Sequence, residues 1–507
     1  MPINQLKAGA LLNYVVLGLN NLVGLLYMPY MLRMMGRSEF GLYSLVASVI
    51  AYLTVMDFGF GNAIIRYTAK FRAEGKQEEQ YAMFGMFLIL YVAIGALVFL
   101  AGTALYLNAE HLFGETLTPY ELGRAKILMI IMILNLAVTF PLGIFGAIVT
   151  AYEDFVFQKA VQIVRIVLNT AVMICLLKMG YRAVAMVVVQ TVFNLATLLL
   201  NFLYCKYKIR IRIVFGKFRW GFLREVAIYS FWIFLGAIMD RIYWNTGQFV
   251  LGAVVGTAAV AVFAVAIQLE TMYMSFSTAI SGVFLPRLSA MIAKHCSDRE
   301  VSDLFIRTGR IQYIVLAFLL SGFILFGRQF ILLWAGPDYG EAFPIALLFF
   351  VALTVPLIQN VGISILQARN EMKFRSLLYI AIALVSLAAQ VVAARFWGGI
   401  GCAIAISGAL FLGQGLIMNI YYRRRQRLDI GAFWREIAKM SVAPLLLTAG
   451  GWLAVSHLRP AGIAELAIAI AVYSAIYIPL FWFTSMNDYE RDLLKRPAMR
   501  MLKTLLR

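Results

Sequence analysis

Charged side chains are scarce in this chain. Asp, Glu, Lys and Arg together make up 14% of its 507 residues, whereas apolar residue types make up 62%. Soluble proteins carry about 25% charged residues. The composition therefore excludes a water-soluble monomer and predicts an all-α integral membrane protein, since apolar runs of helical length recur throughout the chain.

Residue types that build metal and catalytic sites are also few. The three histidines and four cysteines lie far apart, without the spacing of a metal site. No Gly-x-x-x-x-Gly-Lys segment is present, so the chain lacks the usual nucleotide-binding loop. The longest outer connections, 108–126 and 328–341, are short for a membrane glycosyltransferase, ligase or polymerase. We expect no metal, no cofactor and no enzymatic activity.

About 20 apolar residues are needed to cross a bilayer as a helix, and the chain contains fourteen runs of this kind. None resembles the ten-residue alternation of a membrane barrel. The predicted spans are 8–32, 41–65, 81–107, 127–150, 156–177, 183–205, 225–253, 257–285, 311–335, 342–367, 376–394, 399–422, 440–457 and 462–485.

Basic residues outnumber acidic ones, 44 to 25, and give a net charge of +19. With a cytoplasmic N-terminus, about three quarters of the Lys and Arg fall in cytoplasmic segments, as the positive-inside rule requires. Both termini are therefore predicted to be cytoplasmic. The basic clusters 206–219 and 421–427 directly follow spans, which is typical of a topology signal that binds anionic membrane lipids and not of a nucleic-acid interface.

Short segments of the first half recur in the second half at an offset of about 220 residues, a sign of internal duplication. The matched pairs begin at Gly36 and Gly256, at Thr150 and Gln367, and at Met179 and Gly398. We predict two six-helix lobes of parallel repeat, at 1–210 and 211–435. Residues 436–507 hold two further spans and a basic cytoplasmic tail. Transporters with such repeats bind substrate between the lobes.

Four segments carry a family resemblance: "GRSEFGLYSL" from Gly36, "MDFGFGNAIIRYTAKF" from Met56, "TAYEDF" from Thr150 and "GTAAVAVFAVAIQL" from Gly256. They resemble the bacterial polysaccharide flippases of the multidrug, oligosaccharidyl-lipid and polysaccharide exporter superfamily. The resemblance implies a MATE-like exporter fold whose central cavity opens alternately to either side of the bacterial inner membrane.

It also implies a substrate, an oligosaccharide repeat unit on undecaprenyl diphosphate, moved to the outer leaflet for O-antigen, lipopolysaccharide or other surface polysaccharide. Polysaccharide polymerase and chain-length proteins are the partners expected of such a protein. An ion-coupled multidrug exporter of the same superfamily is the alternative. An acid-dominated cavity would favour the exporter, and arginines in the cavity favour the anionic substrate.

Cations inside the spans are candidates for binding the diphosphate, because charges in a membrane are costly and most often functional. Arg165 and Arg241 lie within spans, with Arg33 and Arg66 near either end of the first lobe. Arginine suits phosphate through its bidentate fork. Structural roles stay open: Arg165 as a counter-ion within a lobe, and Arg66 as a side chain that reaches the membrane surface. Trp244 could stack on a sugar or face lipid.

Carboxyl groups inside the spans are candidates for coupling transport to H⁺ or Na⁺. Glu270 is the first choice, because no basic residue lies between Arg241 and Arg287 and a lone carboxyl away from water favours its protonated form. Asp57 is the second choice and Asp240 the third, although Asp240 could instead form a structural ion pair.

Gly59 and Gly61 lie two and four residues after Asp57. Glycine inside a membrane helix allows a kink or close packing against a neighbouring helix. We therefore predict that these two glycines shape the end of the second span, and that Asp57 faces the cavity.

Overall fold

The computed structural model describes residues 5–216, 220–293, 296–369, 371–458 and 462–493, together with Lys495. Nearly all of these residues are helical, and no β-strand is present among them. A helix satisfies its backbone hydrogen bonds internally, which a bilayer requires of a single spanning segment. Of the basic tail predicted at 487–507, only 487–493 and Lys495 lie within the described residues.

Seventeen α-helices follow one another along the described residues. They are α1 (Gln5–Met35), α2 (Arg37–Leu53), α3 (Phe60–Ala73), α4 (Gln77–Leu107), α5 (Ala109–Phe113), α6 (Pro119–Ala151), α7 (Phe155–Lys178), α8 (Ala183–Tyr204), α9 (Trp220–Val254), α10 (Thr257–Ala293), α11 (Asp298–Trp334), α12 (Ala342–Ile358), α13 (Val361–Ala368), α14 (Met372–Leu410), α15 (Met418–Arg424), α16 (Ile430–Leu458) and α17 (Ile463–Thr484). Short 3₁₀ segments lie at Thr54–Asp57 and Pro337–Tyr339, and π-helical segments at Cys205–Ile209 and Phe411–Ile417.

Each of the fourteen predicted spans coincides with helix, so the all-α membrane fold is confirmed. Ten helical segments of the described chain are long and apolar enough to cross a membrane, and eleven if the bent pair α12 and α13 counts as one span. That pair bends by 42°. The predicted eleventh and twelfth spans form one long segment, interrupted by non-helical backbone at Gly398.

The two halves share a local backbone feature at matched positions. Gly36 directly precedes α2 with φ 80°, and Gly256 directly precedes α10 with φ 119°. Residues other than glycine rarely adopt positive φ. The glycine in each matched segment therefore allows a turn that feeds a long helix, as expected of a structural repeat.

Contacts within the described chain group it into two compact units. The first unit comprises residues 1–264 and 387–402, and the second comprises 265–386 and 403–507. Grouping by contact is a different criterion from the sequence repeat, so the lobe boundaries at 210 and 435 stay a prediction.

In the first unit, α6 packs against α4 and α8, and α1 packs against α7. Half-buried amides join α6 to α8, where the Asn194 side-chain N–H donates to Asn135 Oδ1 at 2.9 Å and to Thr139 Oγ1 at 2.8 Å. Between α2 and α8, Tyr43 and Gln190 exchange hydrogen bonds of 3.1 and 3.2 Å. Polar side chains within these spans thus pair across helices, as expected where water is excluded.

In the second unit, α11 packs against α12, α16 and α17. Its Arg310 is 5% exposed and donates from Nε to Glu490 at 2.6 Å and from Nη1 to Glu436 at 2.7 Å. Nη2 of Arg310 also reaches the backbone carbonyl of Ser485 at 3.1 Å. This bidentate, charge-assisted pairing satisfies a cation that would be costly to bury alone. It ties the C-terminal helices to α11.

We predict that the α5–α6 connection faces outward and the segment after α8 faces the cytoplasm. Both Glu115 and Arg212 are exposed positions in these segments. In a background without the four native cysteines, Glu115→Cys should react with a membrane-impermeant maleimide in intact cells. Arg212→Cys should react only after the cells are opened. Labelling of Arg212→Cys in intact cells would reverse the orientation.

Candidate functional site

Asp57 lies at a break in the second span. After α2 the chain makes one 3₁₀ turn, Thr54–Asp57, and then takes left-handed conformations at Phe58, φ 51°, and Gly59, φ 75°, before α3 begins. Two successive residues with positive φ cannot continue a right-handed helix. The predicted effect of Gly59 on this span is confirmed as a break between α2 and α3.

The Asp57 carboxylate is held by several donors. The hydroxyl of Tyr91, on α4, donates to Oδ1 at 2.7 Å. The backbone N–H groups of Gly59 and Gly61 also interact with this carboxylate. A negative charge at a helix N-terminus is favourable because the first N–H groups there have no partner within the helix. Asp57 therefore stabilises the start of α3, whatever further role it has.

Arg33 and Arg66 are exposed at helix ends or surfaces. Arg33 lies in the last turn of α1. The Arg66 guanidinium lies 5.8 Å from the centre of the Tyr67 ring, on α3. Their long side chains can reach a membrane surface from these positions. Both residues stay candidates for a cation at the end of the first lobe.

Arg165 is half-buried near the middle of α7. Its guanidinium makes no hydrogen bond or ion pair with any other residue that the structure describes. Guanidinium groups placed within a membrane protein are normally paired or face a water-filled cavity. The absence of a counter-charge within the described chain leaves its five donors available to an anion.

Arg241 and its neighbours lie on α9 of the same unit. Arg241 is half-buried, and its Nη1 reaches Asn245 Oδ1 at 3.5 Å, the limit of a hydrogen bond. Asp240 is exposed and Trp244 is half-buried, and each has an interaction with another residue. The guanidinium of Arg241 is therefore only weakly engaged by a neutral amide on its own helix.

Glu270, on α10, is a buried carboxyl of the second unit. It is 1% exposed, and its Oε1 has no hydrogen-bond partner in the described chain. Its Oε2 has only the hydroxyl of the adjacent Thr271, at 3.4 Å. An ionised carboxylate is strongly disfavoured in such surroundings, so the neutral acid is the stable form there.

Glu270 begins a polar stripe along α10, because residues three and four positions apart share a helix face. Further along the stripe, the Tyr273 hydroxyl bonds with Thr354 Oγ1 at 2.8 Å, and Ser277 donates to the carbonyl of Leu357 at 2.9 Å. These partners lie on α12. The rest of the stripe is thus satisfied within the unit, and Glu270 is not.

An apolar cavity of about 240 Å³ lies beside this stripe, within the second unit. Its walls come from α10, α11, α12 and α17 and include the rings of Tyr273, Phe318, Phe350 and Tyr473. The wall is almost entirely hydrocarbon, so the cavity suits an apolar chain better than a sugar or an ion.

Two residues near the candidate sites were not predicted from the sequence. Tyr91 is far from Asp57 along the chain, and only packing of α4 beside the break brings them together. Asn169 lies one turn after Arg165 on α7, and its Oδ1 is buried without a partner in the described chain. The spacing of four residues, which puts both on one helix face, is a signal that could have indicated Asn169.

Comparison with protein-family models identifies the class of the chain. Residues 6–292 match the model described as polysaccharide biosynthesis protein. The match covers more than half of the chain, which therefore belongs to this family. No curated protein sequence matches.

Solved structures with the same fold are transporters and flippases of low sequence identity. The lipid II flippase MurJ in an inward closed conformation is 16% identical, with a TM-score of 0.67 over 97% of this chain and 99% of that chain. An inward-facing MATE family multidrug resistance transporter is 15% identical, with a TM-score of 0.61 over 82% and 99%. An outward-facing MATE family multidrug resistance transporter is 14% identical, with a TM-score of 0.58 over 85% and 96%. These similarities show the exporter fold of a multi-pass membrane protein.

We predict that Asp57→Ala destabilises the protein, because the Tyr91 hydroxyl and the first N–H groups of α3 lose their acceptor. Leaving such groups unpaired costs about 1–3 kcal/mol. Asp57→Asn retains one acceptor oxygen and should lose less. The measurement is the thermal unfolding midpoint in detergent, with Asn62→Ala at an exposed position of α3 as the control. Equal midpoints for Asp57→Ala and the control would contradict this role.

Proposed function

We propose that this protein is a secondary transporter that moves an oligosaccharide repeat unit, linked to undecaprenyl diphosphate, from the cytoplasmic to the outer leaflet of the bacterial inner membrane. Both termini are then cytoplasmic, and the product serves surface polysaccharide assembly such as O-antigen. The chain acts as a carrier and not as an enzyme. Membership of the polysaccharide biosynthesis family and the exporter fold support this proposal.

The observation that carries the proposal is Arg165. It lies within a span, half-buried, and its guanidinium forms no hydrogen bond or ion pair with another described residue. A structural arginine in that position would be expected to have a partner. A diphosphate provides two anionic groups whose oxygens match the guanidinium fork. The substrate thus supplies the partner that the chain does not.

Arg241 is the second cation of the proposed site. Its one hydrogen bond within the described chain is a 3.5 Å approach to the Asn245 amide, which a phosphate oxygen could replace at little cost. Trp244, next along α9, offers an aromatic face to a sugar ring. The lobes predicted from the sequence repeat would carry these residues through alternating access.

Energy for outward movement comes from an ion gradient in this proposal, and Glu270 is the coupling carboxyl. It is buried, and its Oε1 has no partner in the described chain. Its neutral form is stable in that environment. A change of surroundings during transport would release the proton. Asp57 is the second choice, because the Tyr91 hydroxyl and the N–H groups of Gly59 and Gly61 already hold its carboxyl group in place.

A multidrug exporter driven by ion exchange is the second candidate function. Glu270 favours it, because a buried acid can exchange a proton for an organic cation. Arg165 opposes it, because a guanidinium without a counter-charge repels cationic substrates. The two functions therefore differ in the sign of the charge that the site accepts.

We predict that Arg165→Ala abolishes surface polysaccharide while the protein stays in the membrane. The change removes a cation that has no partner in the described chain, so folding should be retained. Lysine should restore export only in part, since an ammonium offers a point charge in place of a planar fork. Arg241→Ala should also reduce export. The measurements are polysaccharide at the cell surface and the amount of protein in isolated membranes.

Lys178→Ala is the matched control, because Lys178 is an exposed cation at the end of the same helix, α7. It should export normally. Normal export by both Arg165→Ala and Arg241→Ala would contradict the proposal that these arginines bind an anionic substrate. If these variants lose resistance to cationic drugs, the result would support the exporter instead.

We predict that Glu270→Gln blocks transport driven by a pH gradient in proteoliposomes while the lipid-linked substrate still binds. Glutamine keeps the size and hydrogen bonding of the neutral acid but cannot exchange a proton. Asp57→Asn should retain most of the activity. Glu341→Gln, at an exposed acid just before α12, is the control and should transport normally. Unchanged pH-driven transport by Glu270→Gln would remove Glu270 from the coupling step.

A further inference from the structure

Asn169 and Arg165 lie one turn apart on α7, and neither has a partner in the described chain. The Oδ1 atom of Asn169 is buried and accepts no hydrogen bond. Leaving a buried amide oxygen unpaired costs about 1–3 kcal/mol, and native proteins contain few such groups. Residues four positions apart lie on the same helix face. An unpaired cation and an unpaired acceptor are therefore neighbours.

Asn194 and Gln190, two other amides within the spans of this unit, are paired across helices. Asn194 bonds with Asn135 and Thr139, and Gln190 bonds with Tyr43. The unit thus satisfies amides where they serve packing between helices. Asn169 differs from them in lacking such a role.

A third unpaired polar group lies at a similar height on the neighbouring helix. Gly9 of α1 packs against Phe155 at the start of α7, and the Tyr30 hydroxyl donates to the carbonyl of Ile174 near its end, at 3.4 Å. The two helices therefore run side by side in the same direction. Tyr27, one turn before Tyr30, is level with the part of α7 just after Asn169, and its buried hydroxyl has no hydrogen-bond partner in the described chain.

We infer that Arg165 and Asn169 form one binding unit for a diphosphate-linked sugar. The Arg165 guanidinium binds the diphosphate. The Asn169 amide oxygen accepts a hydrogen bond from a hydroxyl or acetamido N–H of the first sugar, and the Tyr27 hydroxyl supplies a further polar contact in the same layer. Four residues of helix separate the two side chains by about 6 Å along the axis, which suits a diphosphate and the ring attached to it.

This inference rests on the proposed function and adds that the protein recognises the sugar next to the carrier, in addition to the carrier itself. A site built to hydrogen-bond a substrate group discriminates strongly against analogues that lack it.

The test measures binding of two probes to the purified full-length protein. One probe is undecaprenyl diphosphate, and the other is the same carrier bearing a single N-acetylhexosamine. Asn169→Ala should weaken binding of the sugar-bearing carrier about tenfold, the equivalent of one hydrogen bond, and leave the bare carrier unchanged. Arg165→Ala should weaken both. Thr170→Ala is the control, because the Thr170 hydroxyl bonds only within its own helix.

Asn169→Leu distinguishes a binding role of Asn169 from a structural one. It replaces an unpaired buried oxygen with hydrocarbon, so it should maintain or raise the unfolding temperature and still weaken the sugar-bearing probe. A lower unfolding temperature would mean that Asn169 has a partner within the fold, and the inference would fail. Equal effects of Asn169→Ala on both probes, or none, would also overturn it. If Arg165→Ala binds both probes normally, the proposed function itself fails.

Discussion

The need to satisfy every backbone polar group without water governs this structure, because the hydrocarbon offers no hydrogen bonds to a broken helix. Where the second span breaks, the Asp57 carboxylate and the Tyr91 hydroxyl occupy the gap. Where α12 gives way to α13, the buried amide of Gln359 pairs with Asn419 Oδ1 at 2.8 Å. At both of these interruptions a polar side chain reaches a neighbouring helix.

Much of the fold could be predicted from the sequence, because helix formation in a membrane depends on local hydrophobicity. All fourteen spans were placed on helix by apolar run length alone. Asp57 and the glycines after it also indicated the break, since their chemistry is visible in the short run 57–61. The partner of Asp57 could not be predicted, because Tyr91 reaches it only through the packing of α4 beside the break.

The candidate site was less predictable, because the state of a charge depends on residues distant in sequence. Arg310 and Arg165 are both arginines in long helices. Arg310 is held by Glu436 and Glu490, whereas Arg165 has no such acid in the described chain. No local pattern distinguishes them. The sequence identifies the charged positions in the spans. Tertiary structure was needed to distinguish an arginine in a structural ion pair from one that is available to a ligand.

The first unit consists of two stretches that are separated in the sequence, and this affects how the chain is synthesised. Its last segment, 387–402, follows 265–386 of the second unit in the sequence, and there Gln390 lies beside Gly247 of α9. A ribosome synthesises chains from the N-terminus, and domains tend to fold in that order. The first unit must therefore wait in the bilayer, incomplete, while part of the second is inserted. Biogenesis of the two units is interleaved, so the face of α9 at Gly247 awaits its neighbour Gln390 during synthesis.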